Sequence, residues 1–174
     1  WWHGCGMVVR TRNANGLSSK AEYSDCGAYR YLLKRRWDAC RGVLNFIMLN
    51  PSVADEFRND PTVERCERRA RALGFGAFRV CNIFAWRETD PRKMRRAADP
   101  VGPGNDAAIR EGCLWADRIV CAWGTHGAHL DRGPDVARLM RATGRPLHHL
   151  GLTKDGHPRH PLYISYATQP ELWI

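Results

Sequence analysis

Several features that mark other protein classes are missing from this sequence of 174 residues. It has no C-x-x-C pair, so its seven cysteines do not indicate a disulfide framework or a zinc or iron–sulfur site. No apolar run approaches the roughly 20 residues that cross a bilayer, and no basic and apolar signal segment opens the chain. We therefore expect a cytoplasmic protein with reduced thiols, no membrane association and no cofactor.

Nucleotide-binding glycine patterns are also absent. The chain contains neither a G-x-x-x-x-G-K-[ST] loop nor a G-x-G-x-x-G turn. Nucleoside-triphosphate and dinucleotide chemistry are therefore disfavoured. The hydrophobic content of 44% and the charged content of 26% are ordinary for a globular protein. The length predicts a single domain over residues 1–174.

Acidic residues are few relative to basic ones. The 27 lysines and arginines against 18 aspartates and glutamates give a net charge of +9. Such an excess favours a polyanionic partner, and we expect double- or single-stranded DNA first. Arginine-rich codon usage in a GC-rich genome is the alternative explanation. No feature indicates an obligatory protein partner.

Two parts of the chain follow different patterns. Residues 1–42 are predicted to form an N-terminal extension and an antiparallel β-ribbon, and residues 43–174 an α/β core. In the core we predict strands and intervening helices, the strands over 43–49, 77–84, 118–123 and 146–150 and the helices over 61–73, 105–115 and 134–144. Strands separated by helices imply a mainly parallel sheet with helices on both faces.

The predicted strands end in polar or glycine-containing loops. These are Asn50-Pro51-Ser52, the loop at 84–87, the loop at 124–127 and the segment after Leu150. Ligands of parallel α/β sheets bind beyond the carboxyl ends of the strands. We therefore expect a functional site where these loops converge.

The first of these loops offers two candidate catalytic residues. Pro51 prevents the strand from continuing and leaves Asn50 at its end. An amide can hold a water or the edge of a heterocycle but is not a general base, whereas Asp55 could accept a proton. The alternative is that Asn50 caps a turn and Asp55 is solvated.

A second asparagine lies inside an apolar strand. A buried Asn82 amide without partners would cost about 1–3 kcal/mol, and either a bound base or a backbone group could supply them. We place Asn82 in a candidate base-binding set with Ser52, Phe57 and Phe84.

The C-terminal segment contains two His-Pro steps. A neutral imidazole of His157 or His160 could donate a hydrogen bond to an oxygen that gains negative charge. A metal site is the alternative, with four histidines as candidate ligands, His126, His129, His157 and His160. No H-E-x-x-H pattern supports it.

Basic and aromatic residues are interleaved around the predicted strand ends. Such a mixture could hold a phosphate backbone and wedge a base step, although a solvated basic loop has the same composition. The candidate DNA-binding residues are Trp86, Arg87, Arg92, Lys93, Lys154 and Arg159.

Seven sequence blocks between residues 24 and 163 resemble the bacterial and phage family known as domain of unknown function 1643. They read S-D-C-G-A-Y-R-Y, F-I-M-L-N-P-S-V-A-D, N-D-P-T-V, N-I-F-A-W-R-E-T-D-P, A-A-D-P-V-G-P-G-N-D, A-W-G-T-H-G and L-G-L-T-K-D-G-H-P-R-H-P-L-Y.

Four fragments, M-L-N-P-S, C-N-I-F-A-W-R, V-C-A-W-G-T and H-P-R-H-P-L, are remotely similar to strand-end motifs of the uracil-DNA glycosylase superfamily. That resemblance implies a three-layer α/β/α sandwich with a central, mainly parallel four-stranded sheet. It also implies that Asn50 positions a water and that Asn82 reads the edge of a flipped base. His157, with His160 as its rival, would stabilise the departing base.

One departure from that superfamily points to the substrate. Ser52, Val53 and Ala54 are small where uracil-specific enzymes have a bulky aromatic residue. An open C5 side would admit a hydroxymethylated or glucosylated cytosine of phage DNA.

No lysine lies near Asn50 that could form a Schiff base with the sugar. We therefore expect a monofunctional DNA glycosylase acting in phage defence. The alternatives are a nucleoside or nucleotide N-glycosidase or transferase, and a non-catalytic nucleic-acid binder.

Overall fold

A computed structural model describes residues 6–174. The N-terminal part contains three strands, β1 (Met7–Ala14), β2 (Leu17–Ser24) and β3 (Arg30–Arg36). The remainder contains five strands, β4 (Val43–Met48), β5 (Ala77–Asn82), β6 (Arg118–Cys121), β7 (Leu147–His149) and β8 (Glu171–Leu172). Its helices are α1 (Pro61–Ala72), α2 (Pro91–Met94), α3 (Asn105–Trp115) and α4 (Arg132–Arg141), and a 3₁₀ segment, Thr125–Asp131, precedes α4.

The strands of this region form one mixed sheet in the order β1-β2-β3-β5-β4-β6-β7-β8. Strands β5, β4, β6 and β7 pair in parallel. The pairs β1–β2, β2–β3, β3–β5 and β7–β8 are antiparallel. Antiparallel strands therefore form both margins of the sheet.

The prediction of a three-layer sandwich around a central four-stranded, mainly parallel sheet is wrong. Among residues 6–174 the sheet has eight strands, and most of its pairings are antiparallel. Leu33 of β3 pairs with Val80 of β5, so the N-terminal ribbon extends the main sheet instead of preceding it. The ribbon joins the sheet because β3 forms backbone hydrogen bonds with the free edge of β5. The spacing of apolar residues in the sequence does not indicate which strands pair.

Turn chemistry explains the N-terminal ribbon. Asn15 and Gly16 join β1 to β2 with φ values of 53° and 75°. Two successive positive φ angles define the turn that matches the twist of a hairpin, and Asn-Gly is its preferred sequence. Gly27, with φ of 73°, lies in the connection from β2 to β3. The predicted antiparallel ribbon is therefore present.

The first helix has the ends that its sequence predicts. The Asp60 carboxylate accepts a hydrogen bond from Val63 N at 2.8 Å, which satisfies one of the free N–H groups of the first turn. Pro61 occupies the first helical position. Gly74, with φ of 85°, follows the last turn.

Apolar side chains are buried on both faces of the sheet. On one face α1 packs its buried residues, which include Val63 and Cys66, against Phe46 of β4. On the other face α3 and α4 contribute Ile109 and Val136 to a second cluster. None of the helices within residues 6–174 is both long and apolar enough to cross a lipid bilayer.

Candidate functional site

A cavity of about 760 Å³ opens at the carboxyl ends of β4, β5 and β6. Strand β4 leads into it through Asn50, β5 ends in it at Asn82, and Trp123 and Gly124 follow β6. The N-terminus of α1 and the segment that contains His160 close its sides. The volume lies within the roughly 300–1,000 Å³ of small-molecule sites.

The orientation of the Asn50 side chain is fixed by backbone carbonyls. Its amide nitrogen donates to the carbonyl oxygen of Glu88 at 2.6 Å and to that of Pro51 at 3.3 Å. Two acceptors on one side require that the nitrogen, and not the oxygen, faces them. The amide oxygen of Asn50 is therefore the atom left to accept a hydrogen bond in the cavity.

Ser52 lies on the cavity wall next to Asn50. Its hydroxyl oxygen is 2.9 Å from that of Thr89, which joins the loop after β4 to the loop after β5. Val53 also lines the cavity and is 63% exposed. This wall is therefore built from small side chains and is open to solvent.

Asn82 lies at the bottom of the cavity and is 1% exposed. Its amide nitrogen is buried and has no hydrogen-bond partner among residues 6–174. Its backbone carbonyl is already occupied by the amide nitrogen of Asn105 at 2.8 Å. A buried donor without a partner is costly, so this amide is suited to a ligand that accepts a hydrogen bond.

Of the two candidate histidines, His160 lines the cavity and His157 does not. The backbone N–H of Leu162 donates to Nδ1 of His160 at 3.3 Å. Burial lowers the pKa of the His160 imidazole to about 4, although the charge of Asp60 opposes the shift. The neutral ring therefore carries its proton on Nε2 and can donate from that atom.

His157 belongs to a short hairpin instead. Its backbone N–H donates to the Thr153 hydroxyl at 3.1 Å, and its carbonyl accepts from Thr153 N at 2.8 Å. Leu152 and Pro158 pair across the same hairpin. Lys154 is exposed near the hairpin tip, and Arg159 is exposed just after it.

Two predicted site residues lie in the loop after Asn50 but outside the cavity. One oxygen of Asp55 accepts hydrogen bonds from Phe57 N at 2.8 Å and from Arg58 N at 2.9 Å, so the carboxylate caps a turn. Phe57 is 60% exposed, with the guanidinium of Arg12 over its ring at 5.3 Å. Neither side chain contacts the cavity.

Phe84 is also separate from the cavity. It is fully buried in the core beneath α3 and α4, where its ring lies 5.6 Å from that of His129. The predicted base-binding set is therefore divided. Asn82 and Ser52 line the cavity, whereas Phe57 and Phe84 do not.

None of the predicted DNA-binding residues lines the cavity itself. Trp86 packs edge-on against Tyr29 at 5.5 Å. Arg87 donates to the carbonyl of Gly27 at 3.0 Å. Arg92 and Lys93 are exposed on the short helix α2, whose first residue, Pro91, lines the cavity.

Several cavity residues were not predicted as site residues, and three of them are polar or aromatic side chains that are buried. Asp60, predicted only as a helix cap, lines the cavity as well, and Trp123 forms part of its bottom with its indole N–H buried. Arg30 comes from β3, in the part of the chain that was predicted to precede the core. A signal for it was the charged residue within the otherwise apolar run Y-R-Y-L-L.

A metal centre is not supported within residues 6–174, where no cluster of three or more histidine, cysteine, aspartate or glutamate side chains is suited to an ion. His126 lines the cavity with His160, whereas His129 packs on Phe84. The four candidate histidine ligands are therefore not brought together.

A comparison with protein families identifies the chain. The profile described as "Protein of unknown function (DUF1643)" matches residues 30–162, which is more than half of the sequence. The chain belongs to the DUF1643 family. The DUF1643 match includes Arg30, Asn50, Asn82 and His160. No curated protein and no solved structure matches the chain. The similarity to the uracil-DNA glycosylase superfamily is not shown and stays a prediction.

Proposed function

We propose that this protein is a DNA glycosylase that hydrolyses the N-glycosidic bond of a modified base. One observation carries the proposal. Asn50, Asn82 and His160 come from three separate parts of the chain and line the same cavity. Such a cavity is suited to a single base that has left the DNA stack, because its bottom is buried and its mouth lies at the surface.

The polar groups of the cavity match the edge of a pyrimidine. The Asn82 amide offers a donor without a partner at the bottom, and neutral His160 offers Nε2–H. Donors that face an oxygen of the base stabilise the negative charge that develops there as the bond breaks. The same donors would also fix the orientation of the base before reaction.

The opposite charge develops on the sugar, and the cavity contains carboxylates that can stabilise it. Asp60 and Glu88 both line the cavity. The amide oxygen of Asn50 is directed by its two carbonyl contacts and is suited to hold the attacking water. We assign the negative groups of the reaction to Asp60 and Glu88, which line the cavity, instead of Asp55, which does not.

The size of the site supports a base larger than uracil. Ser52 and Val53 line the wall with small side chains, and Ala54 is buried beneath the loop. A volume of about 760 Å³ leaves space for a C5 substituent. A hydroxymethylated or glucosylated cytosine in phage DNA fits this description, which makes phage defence the proposed role.

The surface and the thiols support the proposed setting. The net charge is +9, and Arg92 and Lys93 are exposed beside the cavity mouth, where DNA phosphates would lie. The six cysteines within residues 6–174 are free thiols. Free thiols are typical of reducing compartments, so we propose that the protein works on DNA in the cytoplasm.

Defined duplexes test the proposal. The protein is incubated with otherwise identical DNA that contains cytosine, 5-hydroxymethylcytosine or its glucosylated form, and strands are analysed with and without alkali. We expect strand breaks on modified DNA only after alkali, because a monofunctional enzyme leaves an intact abasic site. Phe57→Ala is the control variant, since Phe57 lies outside the cavity. The absence of alkali-labile sites on every duplex would refute the proposal.

One observation favours a second candidate, an N-glycosidase or transferase that acts on free nucleosides or nucleotides. The cavity of about 760 Å³ is large enough for a whole nucleotide. Release of base from modified mononucleotides at a rate equal to or above that from DNA would favour this candidate. If the protein is a DNA glycosylase, we expect mononucleotides to react much more slowly than DNA, since they lack the contacts that DNA makes with the protein.

A further inference from the structure

Arg30 is the most deeply buried cation of the cavity. It is 1% exposed, and it lines the same cavity as Asn82 and His160. One guanidinium nitrogen donates to the carbonyl of Ala54 at 2.9 Å, while Nε is buried without a partner. The ion pairs formed within residues 6–174 do not include Arg30.

This arrangement leaves part of the guanidinium free to bind a ligand. An arginine side chain has five N–H donors in a planar fork, and Ala54 uses one of its nitrogens. A buried charge that forms no ion pair is costly to the folded protein. Burial lowers the pKa of the Arg30 guanidinium to about 10, and the nearby Asp60 opposes the shift. A ligand that brings negative charge to this position would relieve the cost.

The depth of Arg30 identifies which part of a DNA substrate it meets. Arg30, Asn82 and Trp123 are each 1% exposed, whereas Val53 and Tyr163 of the cavity wall are 63% and 93% exposed. DNA phosphates stay outside the mouth when one base enters a cavity. The group that reaches Arg30 is therefore the base.

We propose that Arg30 stabilises the negative charge of the departing base. This inference rests on the proposed glycosylase function. The bond between C1′ of the sugar and the base nitrogen breaks, and its electron pair stays on the base, where it spreads onto the ring oxygen. A water adds to the cationic C1′ and loses its proton to a cavity carboxylate or to solvent. The base anion then takes a proton from solvent, and Arg30 stays protonated throughout.

Substrates that differ in leaving-group quality test the role of Arg30. One duplex carries 5-formylcytosine, whose electron-withdrawing group makes a better leaving base, and another carries 5-hydroxymethylcytosine. In single turnovers we expect Arg30→Met to lose roughly 100-fold on the poorer leaving base and roughly 10-fold or less on the better one. Because the ratio of the two rates is taken within one variant, it does not depend on the amount of folded protein.

Arg35 provides the matched control. It lies on the same strand, is 2% exposed and also has one buried nitrogen without a partner, but it does not line the cavity. We expect Arg35→Met to leave the rate ratio of the two duplexes unchanged. Arg30→Lys, which keeps the charge, should restore part of the rate on the poorer leaving base. Equal losses on both duplexes in Arg30→Met would overturn the proposal.

A binding measurement that needs no base excision separates this inference from the proposed function. Orotate, a pyrimidine that carries a carboxylate, and uracil, its neutral counterpart, are titrated into the protein and followed by thermal shift. We expect orotate to bind at least 10-fold more tightly than uracil, and Arg30→Met to remove the difference. If orotate binds more tightly than uracil but no base is excised from any DNA, the glycosylase function is refuted and the anion-binding role of Arg30 stands. Equal binding of the two probes would overturn the role of Arg30.

Discussion

At the scale of single residues, the cavity contains a buried polar group that forms no hydrogen bond within the described part of the protein. The Asn82 amide nitrogen has no partner within residues 6–174, and the side chain is 1% exposed. Groups that serve stability are normally satisfied when buried. An unsatisfied donor at the bottom of a cavity is therefore suited to a ligand that accepts a hydrogen bond.

The first prediction concerns Asn82→Ala. We expect base excision in single turnovers to fall roughly 100-fold, because the amide proposed to bind the base is lost. The free energy of unfolding in urea should change by less than about 1 kcal/mol, because no protein partner loses its hydrogen bond. A large loss of stability with normal excision by the folded fraction would contradict the role of Asn82 in binding.

The second prediction concerns pH and His160. Its pKa is about 4 in the folded protein against an ordinary 6.5, so the unfolded chain binds a proton between these values and the folded protein does not. Stability is therefore fully present above pH 6.5 and falls as the pH approaches 4, by roughly 3 kcal/mol from this group. Urea unfolding from pH 7.5 to 4 should show a steeper decline for the natural protein than for His160→Gln. Parallel curves would contradict this account.

At the scale of elements, the turn after β6 contacts the segment that carries His160. Gly124 has φ of 75°, a backbone conformation that favours glycine, and its N–H donates to the carbonyl of Pro158 at 2.8 Å. A Cβ at this position would lie 3.4 Å from Cβ of His160. The backbone conformation therefore favours glycine, whereas the contact of a Cβ with His160 would be an ordinary van der Waals contact.

The third prediction compares Gly124→Ala with Gly144→Ala. Gly144 has φ of 76°, but a Cβ there meets no atom within 4 Å. Both substitutions should cost roughly 1–2 kcal/mol of stability through backbone strain. Only Gly124→Ala should also lower excision, because the strained turn is hydrogen-bonded to Pro158, two residues before His160. Equal excision by the two variants in thermally matched single turnovers would show that the turn does not position the histidine.

Sequence patterns predict the local elements better than their assembly. The α1 boundaries follow from Asp60, Pro61 and Gly74, and Asn50 was placed correctly just after a strand. Asn82 was predicted inside a strand over 77–84, but it is the last residue of β5. The prediction of the sheet margins was wrong because the pairing between β3 and β5 is a long-range backbone contact. That pairing is also why a cavity residue on β3 could not be found from patterns in the core alone.

Which of the predicted site residues line the cavity depends on the conformation of the loops that carry them. Asp55 lies near Asn50 in sequence, yet it caps its own turn, while Asp60 reaches the cavity from the start of α1. His157 and His160 are three residues apart, and backbone pairing in the hairpin separates them. Which of two nearby residues reaches the cavity depends on turn geometry, and the residue types alone do not determine that geometry.

At the scale of the whole molecule, the positive charge is not all available to DNA. Several arginines are buried and hold backbone carbonyls or ion pairs inside the protein. Arg69, for example, donates to the carbonyls of Ile164 and Ser165 in the C-terminal segment. The buried arginines are Arg30, Arg35, Arg69, Arg79 and Arg132. The net charge of +9 therefore overstates the charge that can contact phosphates.

The fourth prediction concerns the exposed cations beside the cavity mouth. Replacing Arg92 and Lys93 by alanine should weaken DNA binding and reduce the slope of log K against log salt by about 2. The control replaces Arg41 and Arg118, which are exposed at the opposite, amino ends of β4 and β6. We expect little change of slope in the control. Equal changes in both double variants would indicate binding by overall charge instead of by the cavity face.

The central claim is that the cavity releases a base from DNA, and the most direct test is to identify the product. Natural protein and Asn82→Ala are incubated with DNA that contains 5-hydroxymethylcytosine and its glucosylated form, and the low-molecular-mass fraction is analysed by mass spectrometry. The account predicts a free modified base from the natural protein, in amounts equal to the abasic sites, and far less from the variant. DNA that stays intact with no free base, or equal release by both proteins, would contradict it.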